Sequence, residues 1–159
     1  MNSLEGEKHL KGSKVRILVV DDYEPFRRFV CATLGEGQDT QVIGEASDGL
    51  NAIRKAEELQ PDLILLDIGL PNLNGIEAGR RIRKLCPDCK ILFLSQESSV
   101  EVAQETFKLG ASAYIVKPHA VSELPAAVEA VCQGRRFVSK GLLSHNRADA
   151  TDTRLLFGT

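Results

Sequence analysis

The sequence has no tryptophan and only 5% aromatic residues. It also has no apolar run near the roughly 18 residues that a membrane-spanning helix requires. Neither sign of charge is in large excess, because 20 basic residues stand against 22 acidic ones, for a net charge of −2. No overall field therefore attracts nucleic acid or a membrane surface. Residues 1–14 are polar and lack the apolar core of a signal peptide. We expect a cytoplasmic protein with a flexible leader over residues 1–14.

Cysteine is scarce and scattered. The four cysteines are Cys31, Cys86, Cys89 and Cys132, and their spacing is not that of a disulfide framework, which predicts reduced thiols. Cys86 and Cys89 form a CxxC pair with an internal proline, as in dithiol redox motifs. The pair follows a predicted helix instead of opening one, and it supplies only two of the usual four zinc ligands. A structural role is therefore favoured over redox or zinc chemistry.

One apolar run ends in an acid. Residues Leu63 to Leu66 are continuously apolar, Asp67 follows, and Gly69 and Pro71 break the segment. Such a run predicts a strand that is buried on both faces of a parallel sheet. An acid at its end belongs at the carboxyl edge of the sheet, where open α/β folds place their sites. The alternative is that Asp67 only begins a turn.

Five apolar runs alternate with five amphipathic segments along the chain. The predicted strands cover 15–20, 41–46, 63–66, 90–94 and 112–116, and the predicted helices begin near Pro25, Ser47 or Asp48, Gly75, Val100 and Ser122. Leu50 and Leu85 are assigned to the inward faces of the second and third helices. This alternation predicts one α/β domain over residues 15–139, with a parallel sheet and helices on both faces. The arginines of the third helix are interpreted as a solvated face rather than a nucleic-acid site.

Polar residues follow four of the predicted strands. Asp21 and Asp22 follow the first, Asp67 the third, Ser95 the fourth and Lys117 the fifth. The ends of parallel strands share one edge, where two carboxylates 4 Å apart repel by about 4 kcal/mol at an effective dielectric near 20. Lys117 offsets part of this charge. Oxygen ligands of this kind favour Mg²⁺, which keeps waters and binds phosphate oxygens as well.

The charges assign a role to each residue. Asp67 is the candidate nucleophile toward phosphorus and forms an aspartyl phosphate. Asp21 and Asp22 hold the metal ion, directly or through water. Ser95 and Lys117 contact phosphoryl oxygens through a hydroxyl and a point charge. Phosphoryl transfer requires mainly positioning and charge neutralisation, and this set supplies both.

With these motifs, residues 15–139 resemble the CheY-like receiver domain of response regulators in two-component signalling. The matching residues are the Asp21-Asp22 pair, Asp67 with Pro71 and Gly75 after it, Ser95, Tyr114 and Lys117-Pro118. The resemblance implies a flavodoxin-like doubly wound sheet in the order 2-1-3-4-5. It implies a sensor histidine kinase or phosphotransfer protein as phosphodonor, and a Gly69 backbone carbonyl on Mg²⁺. It also implies a cis peptide bond at Lys117-Pro118.

The resemblance also implies a switch. Phosphorylation draws Ser95 toward the phosphoryl group, and Tyr114 turns inward behind it, so that helix 4, strand 5 and helix 5 become the output face and a possible dimer interface. From the residues alone, Tyr114 is a half-buried strand aromatic whose hydroxyl finds water. Gln96 is larger than the small residue usual after Ser95, and Glu97 and Gly69 stand where receivers tune access of water. We expect an unusual dephosphorylation rate, with its direction left open.

Two segments, 79–83 and 134–139, resemble receivers of transcription regulators that carry a helix-turn-helix module. Only 20 residues follow Ser139, so 140–159 is expected to be a tail or the start of a linker, without DNA contact by this chain. Two alternatives to a switch stay open. A metal-dependent phosphohydrolase would also use an Asp nucleophile, but it usually has an acid where Gly69 stands. A binding scaffold would need no cluster of repelling acids.

Overall fold

The computed structural model describes residues 13–35 and 39–145. They form a parallel six-stranded sheet in the order β2-β1-β3-β4-β5-β6 with helices on both faces. The strands are β1 Val15–Val20, β2 Thr40–Ala46, β3 Leu63–Asp67, β4 Lys90–Ser95, β5 Ala113–Val116 and β6 Phe137–Val138. The helices are α1 Glu24–Gly35, α2 Gly49–Leu59, α3 Gly75–Leu85, α4 Val100–Lys108, α5 Ala120–Cys132 and α6 Lys140–His145, and a 3-10 turn covers Lys117–His119.

The predicted doubly wound order 2-1-3-4-5 is confirmed, with β6 added at one edge. The strand β3 lies at the centre, and every one of its residues is buried. Successive side chains of a strand point to opposite faces, so β3 supplies Ile64 and Leu66 to one core and Leu63 and Leu65 to the other. Burial on both faces explains why the strand reads as a continuous apolar run.

Local signals set most helix starts. Asp48 caps α2, since its side chain accepts a hydrogen bond from the Asn51 amide at 2.8 Å, which selects Asp48 over Ser47. The last large helix differs from the prediction. It begins at Ala120, and Ser122 lies inside the first turn with its hydroxyl donating to the His119 carbonyl at 3.1 Å. Within the described ranges, no helix has the length and apolar content needed to cross a membrane.

Two leucines do not face the core as predicted. Leu50 is 53% exposed and Leu85 is 38% exposed. Both line a surface groove of about 450 Å³ between α2 and α3, together with Ile53 and the charged side chains beside it. Small residues take the inward positions instead, since Ala52 and Ala56 of α2 are fully buried. Close packing of the helix on the sheet therefore leaves the larger side chains at its margin.

The CxxC pair lies in a tight turn after α3. The Cys89 amide donates to the Cys86 carbonyl at 3.0 Å, and both thiols are free and buried. Burial raises the pKa of both thiols, which disfavours the reactive thiolate. The structural role favoured from the sequence fits this environment.

The predicted domain boundary at Ser139 is too early. The strand β6 pairs with β5, and α6 follows directly in the segment that was expected to be a tail. Leu142 of α6 is fully buried in the same apolar cluster as Tyr114 and Val116. A buried acid fixes this segment, because Glu123 of α5 accepts hydrogen bonds from the Ser139 hydroxyl at 2.6 Å and the Lys140 amide at 2.7 Å. The folded unit therefore includes the first residues of the predicted tail.

We expect Glu123→Gln to lower the free energy of unfolding by about 1.5 kcal/mol, because a neutral amide replaces a charged acceptor of one buried and one partly buried hydrogen bond. Urea denaturation measures this change. The matched control is Glu129→Gln, an exposed position on the same helix. Equal effects of the two substitutions would contradict a fixing role for Glu123.

Candidate phosphoacceptor site

The neighbouring strands β1 and β3 bring the acids together. Their parallel register pairs Val20 with Leu66, so that Asp21 and Asp67 follow at the same edge of the sheet. One carboxylate oxygen from each of Asp21, Asp22 and Asp67 lies within 4.8 Å of the others. Asp21 and Asp67 are buried, whereas Asp22 is exposed. Asp67 therefore does more than begin a turn, because it stands in the middle of an acidic cluster.

Lys117 lies between two of these acids. Its Nζ is 2.7 Å from Asp21 Oδ2 and 3.3 Å from Asp67 Oδ1, and its side chain is almost fully buried. The strand β5 ends at Val116, which delivers the lysine to the same edge. One cation thus contacts two carboxylates directly, and the summed charge of the four side chains stays negative.

Asp67 is shifted toward its protonated form. Burial raises its pKa from 3.8 to about 6, and the nearby Asp21 carboxylate acts in the same direction. The Lys117 ammonium and the Gly69 amide oppose this shift, the amide by donating to Asp67 Oδ1 at 3.3 Å. The predicted role of the Gly69 carbonyl as a metal ligand stays a prediction.

The first acidic loop is held by contacts that the sequence did not predict. The Tyr23 amide donates to Asp21 Oδ1 at 2.9 Å. Arg27 of α1 donates to the Asp21 carbonyl at 2.7 Å and pairs with Glu45 of β2 at 2.9 Å. These bonds fix the backbone of the loop while the Asp22 side chain stays open to solvent.

The strand end of β4 connects the site to Tyr114. Ser95 is buried, and its hydroxyl accepts a hydrogen bond from the Glu97 amide at 2.9 Å. Tyr114 is fully buried, and its hydroxyl donates to the Glu97 carbonyl at 2.7 Å. Burial raises the pKa of Tyr114, while a side-chain hydrogen bond with Ser95 lowers it. Tyr114 is thus buried with its hydroxyl bonded to a backbone carbonyl, whereas Gln96, between Ser95 and Glu97, is exposed.

The predicted cis bond at Lys117-Pro118 is wrong, because no peptide bond among the described residues is cis. Pro118 lies in the 3-10 turn that follows β5, and the Ala120 amide donates to the Lys117 carbonyl there. A trans proline suits the first turn of a helix, where its missing amide costs no hydrogen bond. Lys117 reaches the site with this trans connection.

The acidic cluster fits a hard cation. Asp21 Oδ2 is buried, and its contact with Lys117 does not have hydrogen-bond geometry, so it accepts no hydrogen bond from the described residues. Three carboxylates offer only oxygen, the ligand type that Mg²⁺ prefers. In the described part of the chain, these acids are the only group of three or more potential ligands that lie close enough to share an ion.

The doubly wound sheet and the acids at its carboxyl edge define the class of the protein as an α/β domain with a site at the strand ends. Residues 17–129 match the family model of the response regulator receiver domain, and the chain belongs to that family. The resemblance stated from the sequence is thereby confirmed.

Two of the curated relatives are transcriptional regulatory proteins. Transcriptional regulatory protein DegU of Brevibacillus brevis is 35% identical over 126 residues, which are 79% of this chain and 53% of DegU. Transcriptional regulatory protein LiaR of Bacillus subtilis is 36% identical over 120 residues, 76% of this chain and 57% of LiaR. The chain thus spans just over half the length of these relatives.

A solved structure supports the same assignment. The crystal structure of a LuxR-family two-component response regulator from Aurantimonas sp. SI85-9A1 matches with a TM-score of 0.79 at 32% identity. The match covers 86% of this chain and 99% of that chain. It therefore extends over most of this chain and nearly all of that chain.

Proposed function

We propose that this chain is a phosphorylatable switch in which Asp67 accepts a phosphoryl group from a phosphohistidine of a sensor histidine kinase or phosphotransfer protein. One observation carries the proposal. The Asp67 carboxylate ends a buried strand, 3.3 Å from Lys117 Nζ and beside Asp21 and Asp22. A carboxylate in this position can attack phosphorus while Lys117 pairs with a phosphoryl oxygen and the acids offer a site for a metal ion.

In this proposal an Asp67 carboxylate oxygen forms a bond to phosphorus. The bond from phosphorus to the donor breaks, and its electron pair leaves with the donor nitrogen, or with acetate when acetyl phosphate is used. Lys117 pairs with one phosphoryl oxygen, and the Ser95 hydroxyl donates to another. Asp21, Asp22 and Asp67 would hold Mg²⁺, which neutralises charge on the phosphoryl oxygens when bound.

The same contacts suggest how the signal leaves the site. Ser95 and Tyr114 share hydrogen bonds with the backbone of Glu97, so movement of Ser95 toward a phosphoryl group changes the environment of Tyr114. Tyr114 lies on β5, beside α4 and α5, and this face is the proposed output surface for a partner or for a phosphorylation-dependent homodimer. The cytoplasmic location expected from the sequence stays a prediction.

Intact mass spectrometry tests the proposal. With Mg²⁺ and acetyl phosphate, the wild-type chain should gain one phosphoryl group that is stable to acid and labile to base. Asp67→Asn should gain none, because an amide does not attack phosphorus. Asp88→Asn, an exposed position in the turn after α3, is the matched control and should behave as wild type.

Other outcomes would favour the alternatives. Uptake by Asp67→Asn equal to that of the wild type would refute the assignment of the phosphoacceptor. No uptake by the wild type, with the histidine kinase reaction also negative, would support a binding scaffold. Steady release of phosphate from simple phosphomonoesters would support a phosphohydrolase, against which the Gly69 position argues.

A further inference from the structure

Phe26 makes a cation–π contact with Lys117. Its ring lies in the first turn of α1, and Lys117 Nζ is 4.8 Å from the ring centroid. This distance is within the roughly 6 Å over which the negative face of an aromatic ring attracts a cation. Among the described residues, Lys117 Nζ therefore contacts Asp21 at 2.7 Å, Asp67 at 3.3 Å and the ring of Phe26.

The Lys117 side chain does not by itself fix the position of its ammonium. Its four-carbon side chain is flexible, and an ammonium is a point charge without the fixed geometry of a guanidinium. When a phosphoryl oxygen competes with the two carboxylates for the ammonium, nothing in the side chain itself keeps Nζ in place. The Phe26 ring, with its centroid 4.8 Å from Nζ, adds an attraction that favours the position of the ammonium between the strand ends.

The ring of Phe26 is itself supported. It packs at 5.9 Å from the ring of Phe29, with the ring planes at 45°, and both side chains adjoin the apolar cluster that includes Val30 and Leu124. Phe29 stands one turn further along α1 and makes no cation–π contact with any of the described residues. Substitutions at the two positions can therefore distinguish the apolar packing of an aromatic side chain on this helix from its contact with Lys117.

We propose that Phe26 is a positioning residue for phosphoryl transfer, which acts by holding the Lys117 ammonium between Asp21 and Asp67. This inference rests on the proposed function. It predicts that the aromatic face, and not merely apolar bulk, is required at position 26. Leucine should therefore fail to replace phenylalanine, whereas tyrosine, which keeps the ring, should succeed.

The kinetic test compares the phosphorylation rate constants of Phe26→Leu, Phe26→Tyr and Phe29→Leu with acetyl phosphate at saturating Mg²⁺. A small donor avoids any effect of α1 on the docking of a kinase. We expect Phe26→Leu to react about 3- to 30-fold more slowly, the range that corresponds to cation–π energies at half-exposed and desolvated sites. Phe26→Tyr and Phe29→Leu should stay within about twofold of the wild type.

Mg²⁺ affinity, measured by calorimetry, separates positioning from general damage to the site. Displacement of Lys117 removes a cation from the acids and should leave Mg²⁺ binding in Phe26→Leu as strong as in the wild type, or stronger. Weaker Mg²⁺ binding in proportion to the slower reaction would overturn the proposal, because it would indicate a distorted site. Equal rates for Phe26→Leu and Phe29→Leu, or failure of Phe26→Tyr to restore the rate, would overturn it too.

A readout without phosphorylation keeps this inference distinct from the proposed function. In proton–carbon NMR spectra of the unphosphorylated chain, the ε-methylene protons of Lys117 should be shifted upfield by the ring current of Phe26. The shift should vanish in Phe26→Leu and persist in Phe26→Tyr and Phe29→Leu. An upfield shift together with no phosphoryl uptake by the wild type would refute the proposed function but not the contact. Absence of the upfield shift from the wild-type spectrum would refute the positioning role.

Discussion

In the metal-free protein, Asp67→Asn should raise the free energy of unfolding by about 1 to 3 kcal/mol at pH 7.5, and the gain should vanish near pH 4. The folded pKa of Asp67 is about 6, above its ordinary value of 3.8. Between these values the folded state binds more protons than the unfolded state, so stability is full below about pH 4 and falls as pH rises through 6. Asparagine carries no charge and escapes this loss. The upper value follows from 1.36 kcal/mol per pKa unit, and solvent screening lowers it.

Urea denaturation between pH 4 and pH 8 in the presence of EDTA measures the effect. The matched control is again Asp88→Asn, which removes one acid from an exposed turn and should follow the wild-type pH profile. Addition of Mg²⁺ should restore the stability of the wild type at pH 7.5 and change that of Asp67→Asn less, because binding to the native state stabilises it. If Asp67→Asn and the wild type had parallel pH profiles, repulsion within the acidic cluster would not be a significant cost to the fold.

The sequence predicted the fold and the members of the acidic site because both follow from simple periodicities. A continuous apolar run such as Leu63 to Leu66 indicates a strand with two buried faces, and an acid after it marks the carboxyl edge. Parallel strands place their ends together, so the chain positions of Asp21, Asp67 and Lys117 were sufficient to predict their proximity. No pairwise distance had to be known.

Other features depend on packing that periodicity does not describe. Phe26 has the pattern of an ordinary core residue of α1, and only the folded structure places its ring over Lys117. Glu123 has the pattern of a helix-surface acid, yet its partner Ser139 lies sixteen residues further along the chain. The strand β6 has two residues, too few for any alternation to be visible. The cis bond at Pro118 came from resemblance alone, and the local turn favours trans.

The contacts of Asp21 and Asp67 hold the acids in place and leave much of their charge uncompensated. The carboxylates of Asp21 and Asp67 accept hydrogen bonds from the backbone amides of Tyr23 and Gly69. Both carboxylates also contact the Lys117 ammonium. Arg27 binds the Asp21 carbonyl and not its carboxylate. This arrangement neutralises the acidic cluster only in part, because one lysine stands against three acids. The energy that the acids cost the fold is thus available for relief on binding.

Gly75→Ala should destabilise the protein by about 3 kcal/mol and abolish phosphoryl uptake. Alanine is the better helix former, by about 1 kcal/mol in a helix interior. The surroundings reverse this preference, because a Cβ on Gly75 would lie 2.0 Å from the Asp67 carbonyl oxygen and 2.8 Å from Ile68 Cα. Both are backbone atoms, and the Gly75 amide is tied to the Ile68 carbonyl at 2.8 Å, so the chain must shift at Asp67 itself.

The control is Gly69→Ala, in which the same change occurs two residues after Asp67 and the new Cβ meets nothing within 4 Å. Its effect on unfolding should stay within about 0.5 kcal/mol. Urea denaturation at pH 7.5 and intact mass after acetyl phosphate treatment measure the two quantities for both variants. Equal stability of the two variants would mean that the backbone at Asp67 yields at little cost. In that case the close approach of α3 would not be what fixes Asp67, and the rigidity of the site would have to come from Lys117 and the loop after β1.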